Sequence, residues 1–291
     1  MSTASAIAAP HQRLFARVGR LSRFGPVTTA MTIVLAVIVL VAIFAPWLSP
    51  HDPLAVNLAD TLAPPSARHP LGADNSGRDL ASRLIWGSRT ALLGPLLVVA
   101  IAGTLGTLLA IVSAWLGGTF DAVVSRVLDI IFAFPGILLA LVATAVLGAG
   151  LKAAVIALCI GYIPYIARIV RSAALRERDA PYVQACRVQG LTGAAICLRH
   201  LLPNVAPIVI AQMTVSFGYA LVDLASISYL GLGVQAPTPD WGAMVSAGQQ
   251  GLLRGDPMES VCAGLLIVLT VVAFTVVGDR LADRYETGAT R

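Results

Sequence analysis

The chain has 291 residues, 57% of them hydrophobic and 12% charged, with a formal net charge of +5. Soluble domains carry about 25% charged residues, and a mean hydropathy of +0.82 leaves an all-α integral membrane protein as the class that fits. No G-x-x-x-x-G-K-[ST] motif is present, so the chain has no P-loop of its own. Cys159, Cys186, Cys197 and Cys262 show no paired spacing, which predicts neither a disulfide framework nor a zinc site. There is no paired His/Asp/Ser set and no metal-ligand spacing, so no catalytic or metal residues are expected.

The N-terminal segment 1–27 is basic, with Arg13, Arg17, Arg20 and Arg23 and no acids. The apolar run that follows, 28–48, is too long for the h-region of a signal peptide, about 7–15 residues. It matches a membrane span of about 20 residues and is taken as an uncleaved first helix. Residues 49–88 are polar and rich in proline and turn residues, which places them outside. Asp74 to Asp79 does not fit a calcium loop, because Arg78 takes a ligand position and no Glu closes the series. From Asp79, the apolar positions Leu80, Leu84 and Ile85 predict a short amphipathic helix at the membrane surface.

Thr90 to Phe120 holds no charge over 31 residues, enough for a second span and a turn at Gly117-Gly118. The third span, Ala122 to Gly148, contains Arg126, Asp129 and Pro135. Asp129 either faces a transport pathway or pairs with Arg126 near the interface. Pro135 predicts a helix kink. The fourth span, 153–170, has a second kink point at Pro164 and ends in the basic run Arg168, Arg171, Arg176 and Arg178. The fifth runs from Val205 to Leu230 and carries Gln212, Ser216 and Asp223 as pathway or gate candidates. For Asp223 a helix-packing hydrogen bond between subunits is the alternative. The sixth span covers Val261 to Val277, with a short tail at 279–291.

Between spans four and five lies a basic, polar-tolerant stretch, Pro181 to Asn204. It reads as two short helices broken at Gly190, with Leu191, Ala195, Leu198 and Leu202 as an apolar stripe on the second. Six spans put both termini on one side. Arg13, Arg17, Arg20, Arg23, Arg126, Arg168, Arg171, Arg176, Arg178, Arg187, Arg199, Arg280, Arg284 and Arg291 then lie inside, fourteen in all. Six lie outside: Arg68, Arg78, Arg83, Arg89, Arg254 and Lys152. This asymmetry predicts cytoplasmic N and C termini.

Three motifs carry a family resemblance. The stretch Gln184-Ala185-Cys186, Gly190 and His200-Leu201-Leu202-Pro203 resembles the coupling loop of type I ABC importer permeases, E-A-A, three residues, Gly, nine residues, I-x-L-P. Gln replaces the usual Glu, Cys the second Ala and His the Ile. The run from His69 to Arg83 resembles the H-P-L-G-T-D-x-x-G-R-D-x-x-S-R segment of the dipeptide/oligopeptide/nickel branch. Leu230-Gly231-Leu232-Gly233 and Pro237-Thr238-Pro239-Asp240-Trp241-Gly242 match a third segment of that branch. In that alignment the usual Glu falls on Leu224, one residue after Asp223, about 100° around a helix.

The chain is thereby identified as a member of this permease family, of the second (C-type) subunit. The resemblance implies a six-helix type I permease fold in the cell membrane, with 89–278 as the five-helix transmembrane domain and 172–204 as its cytoplasmic coupling loop. Within that loop it assigns ATPase coupling to Tyr182, Gln184, Ala185, Cys186, Arg187, Gly190, His200, Leu202 and Pro203. It implies a second homologous permease, two cytosolic ATPase domains and an extracytoplasmic substrate-binding protein as partners, in a lipid bilayer and without nucleic acid. ATP and Mg would sit on the ATPases, with no cofactor on this chain. Di- or oligopeptides are the expected cargo, with nickel or another small solute as the alternative. An ion-gradient-driven secondary transporter, with Asp129 and Asp223 as cation sites, is the competing class.

Overall fold

In a computed structural model, the structure describes residues 25–289, with side chains described through residue 283. The basic segment 1–24 lies outside the described residues. The described chain is helical almost throughout, as a bilayer demands, because each helix pairs its own backbone N–H and C=O groups where no water can. The first helix, α1 (Pro26–Ile43), starts on a proline whose missing N–H costs nothing at that position. It ends at Phe44, where the chain turns into a one-turn helix, α2 (Ala45–Leu48). The expected single helix over 28–48 is thus two pieces.

The expected short surface helix after Asp79 is instead the beginning of a 37-residue helix, α3 (Leu80–Leu116). Asp79 caps it by accepting a hydrogen bond from the Ser82 N–H at 2.8 Å. At 1.5 Å per residue, α3 is about 55 Å long, well beyond the ~30 Å of hydrocarbon. It therefore joins the polar 49–79 segment to the membrane as one continuous helix.

The third span departs further from a kink. It is two helices, α4 (Gly118–Phe132) and α5 (Gly136–Leu147), bent by 85° at the break. Pro135 has no N–H for the ladder and pushes Phe134 out of the helical region. The chain restarts with Pro135 as the N-cap of α5. Pro164 acts otherwise: it lies buried inside an uninterrupted helix, α6 (Leu151–Arg178), which continues through the basic run. Among the described residues, five helices are long and apolar enough to cross a membrane, and the bent α4/α5 pair makes six if counted as one span.

Beyond α6 come α7 (Pro181–Val188), α8 (Gly193–Ile196) and a π-turn over Cys197–Leu201 that runs into α9 (Leu202–Tyr229). Two short helices, α10 (Trp241–Ala247) and α11 (Gln249–Leu253), precede α12 (Met258–Ala289). The helix α12 runs through the expected tail at 279–289 without a break.

The core forms where α3, α6 and α9 meet. A Cβ on Gly106 would sit 3.1 Å from the Ile163 carbonyl oxygen and 3.2 Å from the Ala167 nitrogen. Any side chain there would push the α3 and α6 backbones apart by a few tenths of an ångström, so glycine favours this close approach. Ala102, Ala110 and Ala114 on α3 and Ala167, Ala173 and Ala174 on α6 are buried in the same seam. Further along, Val98, Leu158, Phe217 and Leu224 close a second core, where Phe217 stacks on Phe274 with centroids 3.9 Å apart.

The end that carries the 49–79 loop is held by buried charge. Asp74, with no exposed surface, accepts Arg78 Nε at 2.7 Å and lies 3.3 Å from Arg83 Nε. Its other oxygen accepts the Ser76 and Arg78 N–H groups, both within 2.9 Å. These bonds occupy both oxygens of the Asp74 carboxylate. Arg83 continues to the carbonyls of Pro53 and Pro237, and Trp241 donates from Nε1 to the Leu84 carbonyl at 3.0 Å. The loops 49–79 and 231–241 are thereby fastened to the start of α3.

Two glycines test this packing. Gly77 has φ +72°, and a Cβ there would lie 1.8 Å from the Asn57 carbonyl oxygen. Gly118 has φ +54° but open space around it. Gly118→Ala should cost roughly 1–2 kcal/mol, the left-handed backbone penalty alone, whereas Gly77→Ala should also displace the 57–60 turn. We expect Gly77→Ala to lower the apparent Tm in detergent clearly more than Gly118→Ala; equal melting of the two variants would contradict the packing described.

Candidate functional site

The first candidate site is built on α7 and the ends of three long helices. The helix α7 buries one side chain, Val183, and leaves Gln184, Ala185 and Arg187 exposed. Val188 is 89% exposed, an apolar side chain held out into solvent. The helix is clamped at its start by three polar groups. Tyr182 donates its hydroxyl to Glu177 Oε2 at 2.7 Å, and Asn204 Nδ2 donates to the Tyr182 oxygen at 2.9 Å. Burial, with the Glu177 carboxylate beside it, pushes the Tyr182 hydroxyl up to about 12, so it stays a donor at any working pH. The His200 ring lies 6.4 Å from that of Tyr182.

At its other end, α7 is fixed to the last turn of α3. The Arg187 guanidinium lies over the Trp115 ring, 4.7 Å from its centroid. Gly193 allows α8 to touch the same indole, since a Cβ there would fall 2.6 Å from Trp115 Nε1. Gly190 turns the chain between α7 and α8 at φ +80° with nothing within 4 Å of a Cβ position. Its role is conformational rather than one of close approach.

The predicted apolar stripe after Gly190 is corrected. Leu198 is 62% exposed, and the buried positions are Ile196, Leu201 and Val205. Their spacing of five and then four is the signature of the π-turn, which inserts one extra residue and rotates the following face. Leu202 is half-buried and Pro203 exposed at the first turn of α9.

The basic run before α7 is largely consumed within the chain. Arg171 pairs with Asp121, which Ser113 also bonds. Arg178 Nη1 donates to the Ala114 carbonyl at 2.7 Å. Asp129 pairs with Arg168 on α6 at 2.7 Å, across helices, and not with Arg126 as the spacing allowed. Both side chains are more than half exposed. They sit beside a small cavity of about 220 Å³.

Asp223 stands apart from these. It accepts the Tyr162 hydroxyl at 2.8 Å and lines a cavity of about 410 Å³ between α4, α5, α6 and α9. Aromatic side chains dominate the wall: Phe132, Phe134, Tyr162, Tyr165 and Tyr219. The 85° break after Phe132 is what turns Phe134 and Gly136 toward this space. Gln212 and Ser216 lie outside that lining; Gln212 donates to Ser216 at 3.3 Å along α9 and Ser216 is fully buried. The structure thus joins one of the four pathway candidates to the larger cavity. Sequence reasoning missed Trp115, Glu177 and Asn204. Glu177 carried a signal, as the one acid within the Arg168–Arg178 run.

At the start of α3, His51, His69 and Asp79 bring three ligand-type atoms within 4.8 Å of one another. Burial works against ionisation of Asp79, but hydrogen bonds from Ser82 and His69 outweigh it and hold the carboxyl below its ordinary range.

Comparison with known proteins now bears on this geometry. Residues 84–291 match the family described as binding-protein-dependent transport system inner membrane component. Residues 29–65 match the N-terminal TM domain of oligopeptide transport permease C. The glutathione transport system permease protein GsiD of Escherichia coli O6:K15:H31 is 39% identical over 91% of this chain and 88% of its own length. The dipeptide transport system permease protein DppC of Alkalihalophilus pseudofirmus is 37% identical over 87% of this chain and 83% of its own. In fold, the chain is similar to an inward-facing structure of the MetNI methionine ABC transporter, with a TM-score of 0.52 and 22% identity over 67% of this chain and 94% of that one. The chain therefore belongs to the family of binding-protein-dependent transport system inner membrane components: it is a multi-pass inner-membrane permease that works with a binding protein and leaves ATP hydrolysis to a separate subunit.

Proposed function

We propose that this permease carries di- or oligopeptides, together with a second, homologous permease subunit. The observation that carries the cargo reading is the cavity at Asp223. A carboxylate among aromatic rings is the environment that takes a cationic amino group, by charge from Asp223 and by ring faces from Tyr165 and Tyr219. The Tyr162 hydroxyl holds the carboxylate in place. The relatives named for dipeptide and glutathione transport support the same class of cargo. Asp129, paired with Arg168, serves this scheme as a link between α4 and α6 rather than as a substrate contact.

Coupling to the ATPases is proposed to pass through α7. Its exposed face offers Gln184, Ala185 and Val188 to a cytosolic partner, with Cys186 half-buried behind them. With Gln at 184, docking rests on shape and apolar contact and not on a salt bridge at that position. A push on α7 reaches α6 through Tyr182 and Glu177 and α9 through Asn204. Those helices carry Tyr162 and Asp223, so tilting them reshapes the cavity.

Two variants test the two halves separately. In the complex reconstituted with its binding protein, Asp223→Asn should cut dipeptide uptake at least tenfold while basal ATP hydrolysis and assembly stay unchanged. Undiminished uptake would contradict the amino-group reading. Gly190→Leu, strained at φ +80°, should leave insertion and ATP hydrolysis intact but lower the peptide moved per ATP severalfold. An unchanged transport-to-hydrolysis ratio would contradict coupling through this turn.

A further inference from the structure

We propose that His51, His69 and Asp79 form a binding site for a divalent cation of zinc's borderline softness, on the extracytoplasmic face of the permease. The three residues come from the loop after α2, the middle of the external segment and the N-cap of α3. No local motif would join them. The His69 Nδ1 lies 3.0 Å from Asp79 Oδ1, and His51 Nδ1 lies 3.8 Å from Asp79 Oδ2. Ligands bound at about 2.0–2.2 Å in a tetrahedral zinc site stand roughly 3.3–3.6 Å from each other. The two imidazoles approach different oxygens of Asp79, and the three ligand atoms lie within 4.8 Å of one another, so small side-chain rotations close them on one ion.

The groups around these three also fit. Asp79 anchors Oδ2 on the Ser82 N–H and hydroxyl, at 2.8 and 2.6 Å, which fixes the carboxylate and leaves Oδ1 on the His69 side. The His51 backbone N–H donates to the same Ser82 hydroxyl at 3.0 Å, tying the second imidazole to the same anchor. On the far side of His69, Nε2 faces Asp60 Oδ2 at 3.5 Å. A carboxylate behind a ligating imidazole is the usual outer partner at metal centres. Asp60 is in turn held by Asn57 Nδ2 at 2.6 Å.

A plain hydrogen-bond network accounts for only part of this. It explains His69 against Asp79. It does not explain why a second imidazole turns its Nδ1 to the same carboxylate at a distance too long for a hydrogen bond. Both His51 Nδ1 and His69 Nε2 are buried without a hydrogen-bond partner. The side chains of His69 and Asp79 are 9% and 1% exposed, while that of His51 is 37% exposed. The site is thus closed below and open on one side, leaving a fourth position for water or an outside ligand. Two nitrogens to one oxygen favours zinc over calcium or magnesium, which prefer all-oxygen shells.

The test uses the full chain in mild detergent, without a polyhistidine tag, stripped with EDTA and dialysed against zinc chloride. Mass spectrometry of the metal should count one zinc per chain for the wild type. His51→Ala, which removes a ligand, should bind at least about 10- to 100-fold more weakly, the loss that follows even from removing an outer partner. Because Asp79 caps α3, His51 is the position to vary. The zinc-free melting curve of His51→Ala should overlay that of the wild type, and zinc should raise the melting temperature of the wild type alone. No retained zinc in the wild type, or equal affinity in His51→Ala, would overturn the proposal.

Discussion

The structure depends first on how closely α3 and α6 can approach. Both are long and apolar, and lipid gives two such helices no hydrophobic reason to associate. What holds them is contact between backbones, and Gly106 with the alanines around it makes that contact possible. The seam fixes Tyr162 and Arg168 on α6 and Trp115 at the end of α3. From those three residues follow the aromatic cavity, the tie to α4 and the seat of α7. A bulky residue in the seam would move the two ends together, since α3 reaches from the Asp74 cluster to the Arg187 stack.

The two ends of this rod use charge differently. At the end that carries the 49–79 loop, acids and bases are buried and multiply bonded, Asp74 by Arg78 and Arg83, and Asp79 by Ser82 and His69. Breaking such a cluster by removing one partner strands a buried charge, which is costly. At the end that carries α7 the pairs Arg168 with Asp129 and Arg178 with Asp179 are more exposed and individually worth little. A π-turn, a left-handed glycine and a clamp of three polar groups stand beside them. This end is the one whose geometry can be changed at small cost, as the proposed coupling requires.

Much of this could be read in the sequence. Runs such as Thr90 to Phe120 announce spans through length and absence of charge alone. The two short helices on either side of Gly190 were also legible. What was not legible depends on neighbours. A helix can run unbroken from a polar loop into the bilayer, so the start of α3 carries no boundary signal beyond its Asp79 cap. Pro135 and Pro164 are the same residue type, yet one lies at an 85° break and the other is buried within an unbroken helix. The π-turn shifts Leu198 outward by adding one residue that no periodicity announces. Asp129 found Arg168, 39 residues away, in place of Arg126, three residues away. The His51, His69 and Asp79 group is a product of folding, with spacings of 18 and 10 that match no ligand pattern.

The account's central claim is that this chain is one permease of an ATP-driven peptide importer, worked through α7. The most direct measurement is affinity purification of the tagged chain from mild detergent, followed by ATP hydrolysis with and without the binding protein and a dipeptide. The account predicts co-purification of a second permease and P-loop ATPases, with hydrolysis stimulated several-fold when the binding protein and dipeptide are both present. A chain that purifies alone and moves solute down an ion gradient without ATP would contradict it.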